Sequence, residues 1–200
     1  MDDQETIDKV ISGDFDAFER LVEKYEGRVY RHLRKMVNDK ELAEDLLQET
    51  FLSAYKGLKG FEGNSSFSTW LFRIATNAAL MYLRKNRPEI VEYDDQIGNK
   101  EDGAIRGTSP AFVSTPFDIL LSLEGKNKIE EAIDGLPVIY RSVIVLRDVE
   151  GFSLEEVAGI MNISVAAVKS RLHRARNAVR EALGSYYEEK GASAARRASK

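Results

Sequence analysis

The side chains best suited to chemistry in this 200-residue chain are crowded onto one stretch near its C-terminal end. Lys169, Ser170, Arg171, His173, Arg174 and Arg176 supply ammonium, hydroxyl, imidazole and guanidinium donors within about two helical turns. Donors of these types bond to base edges and phosphates of nucleic acid. Val165, Val168, Leu172, Ala175, Val179 and Leu183 recur in steps of threes and fours between them, which predicts an amphipathic helix with the donors on its open side. Just upstream, Ser153 and Glu156 have the S-x-x-E spacing of a capping box. Leu154, Val157, Ala158 and Met161 give a short helix one apolar face, Asn162 breaks it, and Ser164 can cap the longer helix. A short helix, a tight turn and a longer basic helix make a helix-turn-helix, whose second helix fits the major groove. The bland alternative is an ordinary helix pair with a solvated basic face. The small residues Ala158 and Ala167, which allow close crossing, favour DNA binding.

Reactive chemistry has no comparable foothold. The chain has two histidines, His32 and His173, and no cysteine, so thiolate nucleophiles, disulfides and Cys metal sites are excluded. No G-x-S-x-G or P-loop occurs, and neither histidine has a Glu-x-x-His partner. Glu44, Asp45 and Glu49 cluster without a nitrogen ligand, and on spacing alone they read as a solvated acidic face. No catalytic residue, metal site or cofactor is expected. The net charge of −4 argues against nucleic acid until its distribution is read. Basic residues gather at Lys169–Arg180 and again at Arg73, Arg84, Lys85 and Arg87, with acids elsewhere. Charges interrupt every apolar segment before it reaches membrane-spanning length, and the N-terminus is acidic and amphipathic rather than a secretion signal. A cytoplasmic protein without membrane insertion is expected.

The elements that must position these groups are helical throughout. A short helix over Thr6–Ile11 stops near Gly13, and Asp14 caps a second whose Phe15, Phe18, Leu21, Val22, Tyr25, Val29, Leu33 and Met36 hold helical spacing. Asn38-Asp39 is a break and a cap, and a third helix continues to about Leu58. GFEGNSS at Gly60–Ser66 is a turn-rich loop before a fourth helix over Phe67–Asn86, ended by Arg87-Pro88. Residues 89–122 carry five Gly and Pro in an acidic context and read as a flexible linker, although Phe112, Val113, Phe117, Ile119, Leu120 and Leu121 are apolar for such a segment. Two further helices, about Glu124–Ile133 and Pro137–Asp148, precede the helix-turn-helix, and the chain closes in a basic tail expected to fray. The fold class is all-α: two small helical domains, 1–88 and 123–184, joined by the linker and followed by the tail at 185–200.

Two stretches carry a family resemblance. AEDLLQETFLSAYKGLKGF at Ala43–Phe61, followed by FSTWLFRIATNAALMYLRKN, resembles the promoter-melting domain of bacterial sigma factors. Ser153–Leu183, down to VAAVKSRLHRAR, resembles their C-terminal domain. With two domains and a short linker, the chain is similar to the extracytoplasmic-function (ECF) sigma factors. The family pattern departs at Met81 and at His173.

The resemblance implies a transcription initiation factor that binds core RNA polymerase, directs it to promoter DNA and helps open the −10 element, with an anti-sigma factor as a further partner. It makes Asp45, Gln48 and Glu49 the polymerase-docking face. It gives Asn64, Ser65, Ser66 and Phe67 in the loop, with Trp70, Arg73, Asn77, Arg84 and Lys85 on the next helix, to −10 reading and melting. Phe67 and Trp70 also fit a plain core stripe, and Trp70 fits it better. Lys169, Ser170, His173 and Arg174 become readers of the −35 element, with Arg171 and Arg176 to the side on phosphates or carboxylates. The linker is expected to leave the two readers without fixed spacing, so that the free chain binds promoter duplex poorly. A rival reading makes the chain a stand-alone regulator with an N-terminal sensor domain. DLLQETF ahead of a Trp-bearing basic helix gives a sensor no purpose.

Overall fold

The computed structural model describes residues 3–86 and 123–198, and every regular element among them is helical. The N-terminal half holds α1 (Asp3–Ile11), α2 (Phe15–Val37), α3 (Lys40–Gly57) and α4 (Phe67–Asn86). The C-terminal half holds α5 (Leu123–Asp134), α6 (Val138–Ile144), α7 (Leu154–Met161) and α8 (Val165–Ala198). Residues 89–122, where a flexible linker is expected, lie outside the described residues.

Local chemistry sets the boundaries. Asp14 accepts from the Ala17 amide at 3.1 Å and starts α2. Asn38, at φ 53°, ends that helix in the left-handed conformation that Asn tolerates. Asp39 then caps α3 through the Leu42 amide. Leu21, Tyr25, Val29, Leu33 and Met36 of α2 form one buried stripe, against which Ala43, Leu46, Phe51 and Ala54 of α3 and Leu71, Ala75, Ala79 and Leu83 of α4 pack. A Cβ at Gly57 would lie 3.3 Å from the Trp70 ring, so the end of α3 passes close to α4 and a larger residue there would press on the indole.

In the C-terminal half α6 is buried on all sides, and Arg141 within it donates to the Asp134 carbonyl at 2.7 Å and to the Met36 carbonyl at 3.1 Å. The helix expected to run to Asp148 instead widens after Ile144 into a π-turn, Val145–Val149, which the Glu150 amide closes on the Val145 carbonyl. Gly151 comes next, at φ +81°. The capping box of α7 is complete: Ser153 Oγ accepts from the Glu156 amide and Glu156 Oε2 accepts from the Ser153 amide. The tail expected to fray is helical, since α8 runs on to Ala198. Ala194, Ala195, Arg196, Arg197 and Ala198 are strong helix formers, which explains the continuation.

The expectation that the two readers lack fixed spacing is not met. The halves pack on one another, α4 against α7 and α2 against α6, and their buried side chains form one continuous core. Phe72 of α4 and Phe152, just before α7, meet edge-on at 4.9 Å.

Candidate nucleic-acid interface

Val168, Leu172 and Ala175 hold α8 against its own half, leaving a polar flank in solvent. Lys169, His173, Arg176, Asn177 and Arg180, with Arg147 from the π-turn, line a cleft of about 470 Å³. Asn177 Nδ2 lies 3.0 Å from His173 Nε2, and Arg180 donates to Asn177 Oδ1 at 2.8 Å, so the exposed donors are partly ordered in advance. Arg176 grips Asp148 with two bonds, 2.7 and 3.0 Å, and the hydrogen-bonded carboxylate raises its pKa further. Of the expected −35 residues, Lys169 and His173 are exposed, while Ser170 and Arg171 are half-buried. Arg174 turns inward and donates to Tyr140 Oη at 3.3 Å. Its position is nearer the packed stripe than spacing alone suggested. The cleft also brings in Asn177, which helical phase puts on the same open face as Lys169 and His173, together with Arg180 and Arg147, which sequence reading assigned to no site.

A second surface lies on α4. Arg73 and Asn77 are exposed one turn apart, and Arg84 and Lys85 are exposed in the last turn. Met81 and Tyr82, 68% and 38% exposed, interrupt this polar strip with apolar surface that sequence reading did not assign to it. The loop before α4 differs in part from expectation. Asn64 is exposed and donates to Glu62 Oε2 at 2.9 Å. Ser66 serves the fold, because its Oγ accepts from the Thr69 amide at 3.1 Å and so caps α4. Ser65 is half-buried beside it. Phe67 is buried against Tyr25, with ring centroids 5.4 Å apart. Trp70 is half-buried between Phe61 and Phe67, as the core stripe required.

The third surface is on α3. Asp45, Gln48 and Glu49 are exposed on one face, and Leu52, 54% exposed, extends it by a turn. None of the three forms an ion pair among the described residues.

Residues 21–89 match the family described as Sigma-70 region 2, and residues 126–179 match Sigma-70, region 4. The chain is 39% identical over 177 residues to the ECF RNA polymerase sigma factor SigW of Bacillus subtilis, covering 88% of this chain and 94% of that one. It is 37% identical over 180 residues to the ECF RNA polymerase sigma-E factor of Escherichia coli K12, covering 88% and 92%. Two solved structures share the fold at 24% identity. One, CnrH in complex with the cytosolic domain of CnrY, has a TM-score of 0.64 and covers 92% of this chain and 97% of its own. The other, the sigma factor RpoE with the anti-sigma factor NepR from Bartonella quintana, has a TM-score of 0.60 and covers 84% and 96%.

Both halves therefore belong to sigma-70 architecture, in the family's order. The chain is a member of the extracytoplasmic-function sigma factors, a transcription initiation factor and not an enzyme. No helix among the described residues is long and apolar enough to cross a membrane.

Proposed function

We propose that residues 1–88 dock core RNA polymerase and read and melt the −10 element, while residues 123–184 read the −35 element. The observation that carries this assignment is a common one across three helices. Asp45, Gln48 and Glu49 on α3, Arg73 and Asn77 on α4, and Lys169 and His173 on α8 all face solvent, and none takes part in core packing. Polar groups left open on rigid helices are available to a partner.

Each surface suits its assigned partner chemically. Asp45 and Glu49 flank Gln48, so α3 presents carboxylate acceptors and one amide to a basic polymerase segment. On α4, Arg73, Arg84 and Lys85 track phosphates, Asn77 and Asn64 supply donors and acceptors for an unpaired base edge, and Met81 and Tyr82 offer apolar faces for its ring. On α8, Lys169 and His173 reach base edges, and Arg171 and Arg176 serve the flanks. An anti-sigma factor is a further partner, as it is for the RpoE protein of similar fold. Residues 89–122 link the two domains, residues 185–200 form a basic tail, and the site of action is the cytoplasm. Run-off transcription with purified core polymerase tests the reading: specific transcripts are expected only with the chain present, and their absence from every promoter in a genomic library overturns it.

A further inference from the structure

On α8 one row of side chains has hydrogen bonds whose direction chemistry alone fixes. His173, Asn177 and Arg180 follow one another at helical spacing on one side of the helix. Arg180 Nη1 lies 2.8 Å from Asn177 Oδ1, and Asn177 Nδ2 lies 3.0 Å from His173 Nε2. A guanidinium has donors and no acceptor. The Asn177 atom that meets it must therefore be the oxygen, which leaves the amide nitrogen to face the imidazole. That nitrogen can only donate. Its bond to His173 exists only with Nε2 bare, and the neutral ring then carries its proton on Nδ1. The charge on Arg180 strengthens the first bond and, by polarising the amide, the second.

The surroundings let this row govern the ring. His173 and Arg180 are exposed, and Asn177 is half-buried between them. Among the described residues no carboxylate bonds to any of the three. A carboxylate on Nε2 would demand a proton there and reverse the assignment. Lys169, Arg147 and Arg176 line the same cleft and are donors as well. Asp148, the carboxylate next to that wall, is taken up by two bonds from Arg176. A lone exposed histidine can present a donor or an acceptor. This one is set as a donor before any DNA arrives.

We propose that Asn177 and Arg180 are positioning residues that fix the tautomer of His173, and that His173 offers Nδ1–H to the N7 and O6 edge of a guanine in the −35 element. The proposal rests on the −35 assignment above and adds to it the class of base. In the major groove guanine sets two acceptors, N7 and O6, side by side. Adenine puts its N6 donor beside N7, thymine puts a methyl group beside O4, and cytosine presents only a donor. A ring with one donor and no free acceptor therefore matches guanine best. The opposite tautomer would accept on Nδ1 and match the amino group of adenine or cytosine. Because the proton is placed in the free chain, the ring has no rearrangement to make on binding.

Long-range nitrogen–proton correlation spectra of the full chain, taken at about pH 8.5, well above the ordinary imidazole range, show which ring nitrogen carries the proton. The chain has two histidines, and His173→Ala identifies the signals. His173 should be protonated on Nδ1. Asn177→Ala and Arg180→Met should each move the proton toward Nε2, while Arg180→Lys, which still donates to Asn177 Oδ1, should keep it on Nδ1. Transcription by core polymerase from promoters with every base pair at each −35 position locates the position at which His173→Ala loses preference. The preferred pair there should contain guanine, by about tenfold. Replacing that guanine with 7-deazaguanine, which lacks the N7 acceptor, should reduce the preference, as should Arg180→Met but not Arg180→Lys. A proton on Nε2 in the unmutated chain overturns the proposal whether or not any variant folds. So does a tautomer that neither Asn177→Ala nor Arg180→Met moves, a preferred A·T pair, or a preference indifferent to 7-deazaguanine. The tautomer is read on the free chain, so it stands or falls even if the chain ignores every −35 base, and the two proposals fail separately.

Discussion

His32 Nε2 lies 2.9 Å from Thr76 Oγ1, tying α2 to α4 in the middle of the N-terminal core. Both residues have no solvent exposure, and the Phe72 ring packs 5.3 Å from the imidazole. Burial pushes the His32 pKa from its ordinary 6.5 down to about 3, so the ring is neutral at neutral pH.

The consequence is a stability that falls with pH. Below pH 6.5 the unfolded chain binds a proton on His32 and the folded chain does not until about pH 3. Stability is therefore complete above pH 6.5 and declines by about 1.4 kcal/mol per pH unit beneath it. Glu5 and Glu156, whose pKa values are lowered, add to the loss only in the carboxylate range. Urea unfolding between pH 7 and 5 should show the His32 slope, and His32→Leu should flatten it. Thr76 can turn its hydroxyl onto its own helix in that variant. An equal slope in both proteins would sink the account.

Polymerase docking predicts a loss of binding without a loss of fold. Asp45, Gln48 and Glu49 are exposed, so Gln48→Ala/Glu49→Lys should change stability by no more than about 0.5 kcal/mol. The same protein should fail to retain core polymerase in a pull-down. Leu52→Ala should weaken retention less, because it lies at the edge of the face. Full retention by the double variant refutes the assignment.

On α8 the structure separates two basic residues that spacing groups together. Lys169→Ala should reorder preference among −35 variants, at about 1–3 kcal/mol for the affected base. Arg174→Ala should chiefly lower the melting temperature, because its guanidinium reaches Tyr140. Transcription from a −35 promoter panel, read beside thermal melts, distinguishes the two. If Arg174→Ala reorders preference and leaves the melt untouched, its inward contact is incidental.

The −10 loop divides in the same way. Ser66→Ala should cost about 1 kcal/mol as a lost helix cap. Asn77→Ala, at an exposed site, should leave stability unchanged and erase preference among non-template bases on a pre-melted promoter. Preference that survives Asn77→Ala places the base pocket elsewhere.

Much of this was legible in the sequence because it is local. Asp14, Asp39, Ser153 with Glu156, and Ser164 each cap the helix that their spacing announces, and the stripe from Leu21 to Met36 is buried as its period required. The features that escaped depend on contacts distant in the chain. Arg174 looked outward by helical phase until Tyr140, 34 residues earlier, was seen to reach it. Ser66 looked free until its place at the start of α4 gave it a cap to make. Arg28 and Glu150, 122 residues apart, carry no local pattern that predicts their pairing. The tail gave the opposite error: its terminal position suggested fraying, while its alanines favour helix.

The π-turn at Val145–Val149 accommodates one more residue than an α-helical turn would hold. Each residue of an α-helix advances the direction of its side chain by about 100°. Deleting Asp148 and letting the turn relax to α-helical winding would therefore leave the downstream chain close to its present direction, whereas deleting a residue from the regular winding of α6 would turn Glu150 away from Arg28 and Phe152 away from Phe72 by about that angle. The surplus residue is thus stored in the width of the turn, and the angle at which one sigma region meets the other survives a change of one residue in chain length at this point and at no regular turn of the helix before it.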